Sequence, residues 1–97
     1  MTPQSFHTSL EGDRPPPELD AALQALWWAR KGDWEKAHKL VMAESSREAS
    51  WVHAYLHRVE GDLPNARYWY YQAGQAAADS ALEVEWRMIT ETLLARP

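Results

Sequence analysis

The chain of 97 residues contains no cysteine. Without thiols it can form neither a disulfide framework nor a metal site with cysteine ligands. It also lacks any apolar run near the ~18 residues that a membrane-spanning helix requires. We therefore expect no disulfide and no membrane partner. The sequence also has no phosphate-binding loop and no glycine-rich dinucleotide turn, so we expect no cofactor.

Clustered positive charge is also missing. The 10 lysines and arginines are dispersed among 14 acidic residues, for a net charge of −4. Binding to nucleic-acid phosphates requires a basic patch, so we expect no nucleic-acid partner. Residues 1–17 have neither the basic start nor the apolar centre of a secretion signal, and a cytoplasmic, bacterial protein is the expectation.

The apolar content that is present lies mainly in aromatic residues, with six Trp and four Tyr against one Phe. Each buried aromatic removes roughly 150–250 Å² from water, which is enough to fold a short chain. Alternation typical of strands is absent, so we expect an all-α protein. Three successive prolines, Pro15–Pro17, predict an extended arm over residues 1–17, followed by one helical domain over 18–97.

Capping residues and apolar spacing predict five helices in that domain. Helix-ending glycines and aspartate caps mark the connections at Gly32-Asp33 and Gly61-Asp62. Capping boxes are expected at Ser45–Glu48 and Ser80–Glu83. The last helix should present one apolar face, formed by Leu82, Trp86, Ile89 and Leu93.

Residues 25–37 repeat in residues 54–66, with an offset of 29. The shared positions are Ala25 and Ala54, Gly32-Asp33 and Gly61-Asp62, and Ala37 and Ala66. Such an internal repeat predicts two stacked helical hairpins.

This repeat resembles the tetratricopeptide unit, a helical hairpin with a small residue and an aromatic on its first helix. Ala25 and Ala54 match the small position, Trp28 the aromatic one, and Tyr70 the aromatic of the second helix. The resemblance implies two antiparallel hairpins and a C-terminal capping helix in a right-handed superhelix. Its period is shorter than the usual ~34 residues. Residues 53–70 also look like a segment of uncharacterised bacterial proteins, which implies no activity.

His53, His57 and Glu60 lie at i, i+4 and i+7 and so project from one side of a helix. Two histidines four apart can share a metal, although the glutamate of the metalloprotease motif is missing between them. The sequence favours a structural network over a metal site, because in the repeat register both histidines face the partner helix. Hydrogen-bond partners would then come from Glu60, Asp62, Tyr68 or Tyr71. His38, beside Trp34, is not assigned to the site.

The run Tyr68-Trp69-Tyr70-Tyr71 sweeps about 300° around its helix axis, so the core cannot enclose all of it. Trp69 and Tyr70 are expected inside and Tyr68 or Tyr71 outside. Aromatic and arginine side chains are enriched in protein interfaces. The predicted partner-binding residues are Tyr55, Arg58, Arg67, Tyr68 and Tyr71.

The interpretation is a small tetratricopeptide-like module that binds a protein or peptide, with no recognisable catalytic motif. One alternative is a metal- or ligand-binding protein that uses His53, His57 and Glu60. The other is a self-associating structural protein, because two repeats fall short of the three usually needed for stability. A homodimer would bury the Tyr run or Trp27. Trp28 is the inward residue of its pair by register, and Trp27 covers the core, the arm or a second chain.

Overall fold

The structure is a computed structural model that describes residues 1–96. Within that range all regular structure is helical, so the all-α prediction is confirmed. The helices are α1 (Pro3–Ser9), α2 (Ala21–Arg30), α3 (Trp34–Met42), α4 (Arg47–Val59), α5 (Leu63–Ala73) and α6 (Leu82–Leu94).

The helices pack chiefly with their neighbours in sequence. The most extensive contacts join α2 with α3 and α4 with α5, and a further contact joins α3 with α4. Helix α6 lies against α4 and α2, and α1 lies against α6. Over residues 1–96, none of these helices has both the length and the apolarity needed to cross a membrane.

The first helix, α1, lies within the segment predicted to be an extended arm, so that prediction is wrong for Pro3–Ser9. Thr2 caps α1 in a reciprocal capping box with Ser5, and proline is compatible with a first helical turn. Phe6 is only 1% exposed, and its ring centroid lies 6.0 Å from that of Trp86. Burial of this ring in the core therefore holds the N-terminal segment as a helix.

Two Gly-Asp turns end α2 and α4 as predicted. Gly32 and Gly61 adopt φ of +86° and +83°, which residues with a side chain rarely adopt. The carboxylates of Asp33 and Asp62 then accept from the backbone N–H of the third residue of α3 and of α5. Each turn thus ends one helix and caps the next.

The two predicted capping boxes do not form. Helix α4 is capped by Ser46, whose hydroxyl accepts from the backbone N–H of Ala49 at 3.0 Å. Helix α6 begins after Ala81 without any side-chain cap. The carbonyl of Ser80 accepts a hydrogen bond from Arg58. Ala81 occupies the N-cap position of α6, so Ser80 lies one residue too early for its hydroxyl to cap the helix.

Trp27 is the fully buried member of the tryptophan pair, and Trp28 is half-buried, so the inward assignment of Trp28 is wrong. The indole N–H of Trp27 donates to the Ser9 hydroxyl at 3.1 Å. Trp27 therefore packs in the core and under the N-terminal segment, because α1 and the residues after it cover this side of α2.

The inward face of α6 contains a charge as well as apolar residues. Trp86, Ile89 and Leu93 are buried as predicted, whereas Leu82 is exposed. Glu85 is fully buried, where it accepts from Arg58 at 2.8 Å and from the Tyr70 hydroxyl. These bonds join α6 to α4 and α5.

Candidate metal centre

Three histidines from two helices meet in one cluster. His38 lies on α3, and His53 and His57 lie one turn apart on α4. The Nε2 atoms of His38 and His53 are 3.0 Å apart, and one nitrogen of each of the three imidazoles lies within 4.8 Å of the others. We call these three residues the histidine cluster.

Two tryptophans hold the imidazole rings in place. Trp34, one turn before His38, stacks on its ring with centroids 4.5 Å apart. Trp69 of α5 stacks on His53 at 3.9 Å with an angle of 14° between the planes. The indole N–H of Trp34 donates to the Leu56 carbonyl at 2.7 Å, which fixes Trp34 against α4. The cluster is therefore positioned by three helices.

Glu60 orients the third imidazole. Its carboxylate lies 2.5 Å from Nδ1 of His57, one turn further along the same chain segment. When Nδ1 donates to this carboxylate, the Nε2 lone pair of His57 remains free to bind a cation. Metal-binding histidines commonly have such a carboxylate on the other ring nitrogen.

Burial disfavours the charged form of two imidazoles of the cluster, those of His53 and His38. His53 and His57 are 4% and 6% exposed, and His38 is half-buried. Desolvation, with smaller contributions from His38 and His57, lowers the pKa of His53 to about 4. Desolvation also lowers the pKa of His38. At neutral pH these two imidazoles therefore have the protonation state that a metal ion requires.

Zinc bound by histidine has Zn–N distances of about 2.0–2.1 Å, which place two nitrogens of a tetrahedral site about 3.4 Å apart. The 3.0 Å between His38 and His53 is close to that spacing. One nitrogen of His57 completes a set of three ligand atoms that all lie within 4.8 Å of one another. The donor set thus fits a late transition metal, for which imidazole is a preferred ligand.

A second grouping of possible ligands joins His57 with Glu60 and Asp62. Glu60 is already hydrogen-bonded to His57, and the Asp62 carboxylate caps α5. This grouping also shares His57 with the histidine cluster, so both cannot use that side chain for different ions. The histidine cluster is the stronger candidate because two of its three ligands are buried, whereas neither Glu60 nor Asp62 of the second grouping is buried.

The structure places the three residues predicted as a metal set together, but not as three equal ligands. His53 and His57 belong to the cluster, while Glu60 contacts His57. Glu60 was also among the predicted hydrogen-bond partners of the alternative network, and it does make that bond. His38, which the sequence did not assign to the site, reaches it from the preceding helix. The expected contact between the consecutive helices α3 and α4 was the signal that could have placed His38 near His53 and His57.

The predicted partner-binding residues do not form one face. Tyr55 is buried, and Arg58 is bound to Glu85 inside the protein, so neither is available to a partner. Burial raises the pKa of the Tyr55 hydroxyl to about 12. Arg67, Tyr68 and Tyr71 are exposed on α5, with Tyr68 at 55% and Tyr71 at 82%. As predicted, Tyr70 lies inside, while Trp69 is half-buried.

Comparison with family models, curated proteins and solved structures finds no match to this chain. The tetratricopeptide resemblance therefore stays a prediction.

Proposed function

We propose that the chain binds a divalent late transition metal ion, with His38, His53 and His57 as ligands and Glu60 hydrogen-bonded to His57. The observation that carries the proposal is the 3.0 Å approach of two Nε2 atoms within a buried set of three imidazoles. Zn²⁺ is the test ion, because it is commonly bound by three histidines in sites that keep one position open.

The experiment is thermal denaturation of the full chain with increasing Zn²⁺. A metal that binds only the folded state adds about 2.7 kcal/mol at 100 times its Kd. For a domain of this size, that corresponds to a rise in Tm of roughly 10–20 °C. His38→Gln and His53→Gln should each remove most of this rise.

The matched control is His7→Gln, because His7 is the fourth histidine and is exposed on α1. It should leave the metal-dependent rise in Tm unchanged. If Zn²⁺, Ni²⁺ and Co²⁺ all leave the Tm of the parent protein unchanged, the histidine cluster is a hydrogen-bonded network alone and the proposal fails.

A second candidate function is binding of a protein or peptide partner through Arg67, Tyr68 and Tyr71. The exposure of two tyrosines on one short helix favours it, since exposed tyrosines are frequent anchors in interfaces. The same face would serve a homodimer, because Trp27 is internal. Tyr71→Ala should abolish partner capture, and sedimentation at micromolar concentration should separate a homodimer from binding to another protein. If the parent protein is a monomer and captures the same proteins as the Tyr71→Ala variant, this candidate function is excluded.

We also propose that α2–α3 and α4–α5 are tetratricopeptide-like hairpins in a right-handed superhelix, with α6 as the capping helix. The Gly-Asp turns at equivalent positions and the extensive packing within each pair support this arrangement. An experimental structure in which the two pairs superimpose, related by a right-handed rotation, would test it.

A further inference from the structure

Beside the histidine cluster lies a surface cavity of about 390 Å³. All three imidazoles line it, so an ion held among them would border the cavity directly. An ion and one water need only a small part of this volume, since a water occupies about 30 Å³. The cavity therefore has room for a further ligand next to the ion.

The protein supplies three of the four ligands that a tetrahedral site requires. Among residues 1–96, the group of converging ligand atoms at this place consists of the three histidines. Glu60 contacts His57 at Nδ1 and is engaged there. A four-coordinate ion would therefore need a ligand from solution.

The walls and the charge of the cavity restrict what that ligand can be. Val41, Met42 and Trp69 make much of the wall apolar, and Asn65 and the exposed Glu44 add polar groups. Imidazole ligands carry no negative charge, so a divalent ion held by them would be the positive centre of the cavity and would outweigh the single, solvent-exposed carboxylate of Glu44. This combination favours an anionic head on the ion and a short apolar chain against the wall.

We infer that the metal ion keeps one coordination position open toward this cavity, and that the position takes the carboxylate of a small molecule with a short apolar chain. The inference rests on the proposed metal binding. It adds the position of the ligand, its charge and its apolar part.

The test uses the full chain loaded with Co²⁺, whose visible absorption changes when a ligand enters its coordination sphere. Formate, acetate and butyrate are titrated in turn. Each carboxylate should change the spectrum, and butyrate should bind at least tenfold more tightly than formate. The expected gain is roughly fourfold for each CH₂ group fully buried against the wall.

Two variants check the parts of the inference. Met42→Ala removes an exposed side chain of the wall and should reduce the preference for butyrate while Co²⁺ binding persists. Glu44→Gln should leave the spectrum without carboxylate unchanged. A changed spectrum in that variant would mean that Glu44 occupies the fourth position, which overturns the inference.

The outcomes separate the two proposals. If Co²⁺ does not bind and neither Zn²⁺ nor Ni²⁺ raises the Tm, the proposed metal function itself fails. If Co²⁺ binds but no carboxylate alters its spectrum, metal binding stands and the open position is excluded. If formate and butyrate bind equally, the apolar part of the ligand is excluded.

Discussion

The Nε2 atoms of His38 and His53 lie 3.0 Å apart across the contact between α3 and α4. At this distance one nitrogen must donate a proton to the lone pair of the other, or both lone pairs must bind the same cation. A metal ion would replace the shared proton and bind both helices at once. Metal binding is therefore expected to stabilise the folded chain, because the unfolded chain lacks this arrangement.

Glu60→Gln should weaken Zn²⁺ binding by about 10–100-fold without abolishing it, because Glu60 orients His57 and increases its basicity. The measurement is competition with a chromophoric chelator. Glu35→Gln, an exposed acidic residue on α3, is the control and should change the affinity little. If Glu60→Gln lowers the Zn²⁺ affinity as much as His53→Gln does, then Glu60 is a direct ligand, as in the alternative metal site predicted from the sequence.

The turns were predictable from the sequence because their causes are local. A glycine with positive φ followed by a capping aspartate needs no information about distant residues, and both Gly-Asp turns form as expected. Helix α1 was missed because Phe6 is held by Trp86, which is 80 residues away in the chain. The capping box at Ser80 does not form because α6 begins one residue later than that box requires, with Ala81 at the N-cap position.

The part of the site that lies on one helix, α4, could be predicted from the sequence. The i, i+4 spacing of His53 and His57 placed them together, as the structure shows. The third imidazole, His38, required knowledge of how α3 crosses α4, which spacing along one helix does not contain. The prediction that Tyr55 and Arg58 bind a partner lacked the information that Tyr55 is buried and that Arg58 pairs with a glutamate of α6, since nothing local indicates either.

The metal-free protein should lose stability as the pH falls from about 6.5 to about 4. The pKa of His53 is about 4 in the folded state and near 6.5 when unfolded, so the unfolded chain binds more protons in this window. Stability is then complete above the unfolded pKa and declines as pH falls, by at most about 1.4 kcal/mol per pH unit for one histidine. Urea denaturation across this range measures the slope.

His53→Gln should flatten that slope, whereas His7→Gln should leave it unchanged because His7 is exposed. An equally steep slope in His53→Gln would show that other groups, such as carboxylates, cause the acid sensitivity. It would contradict the assignment of the pH dependence to this buried imidazole.

Arg58→Met should destabilise the protein by about 3–5 kcal/mol, because it leaves the carboxylate of Glu85 buried without its ionic partner. Urea denaturation monitored by circular dichroism measures the change. Glu83→Gln is the control, because the ion pair of Glu83 with Arg30 is exposed and should contribute little. If both substitutions lower the free energy of unfolding equally, the burial of Glu85 does not make its ion pair more important than the exposed one.

Phe6→Ala should destabilise the whole protein by about 3–5 kcal/mol, because it leaves a cavity next to Trp86 in the core. The exposed neighbour His7 offers a matched control, since His7→Ala alters the same helix without emptying the core. Urea denaturation should show a single transition, whose midpoint moves to a lower urea concentration in Phe6→Ala and not in His7→Ala. If Phe6→Ala instead only increases hydrogen exchange within α1 and leaves the main transition unchanged, then α1 is a separable segment. The core would in that case be closed by α6 without it.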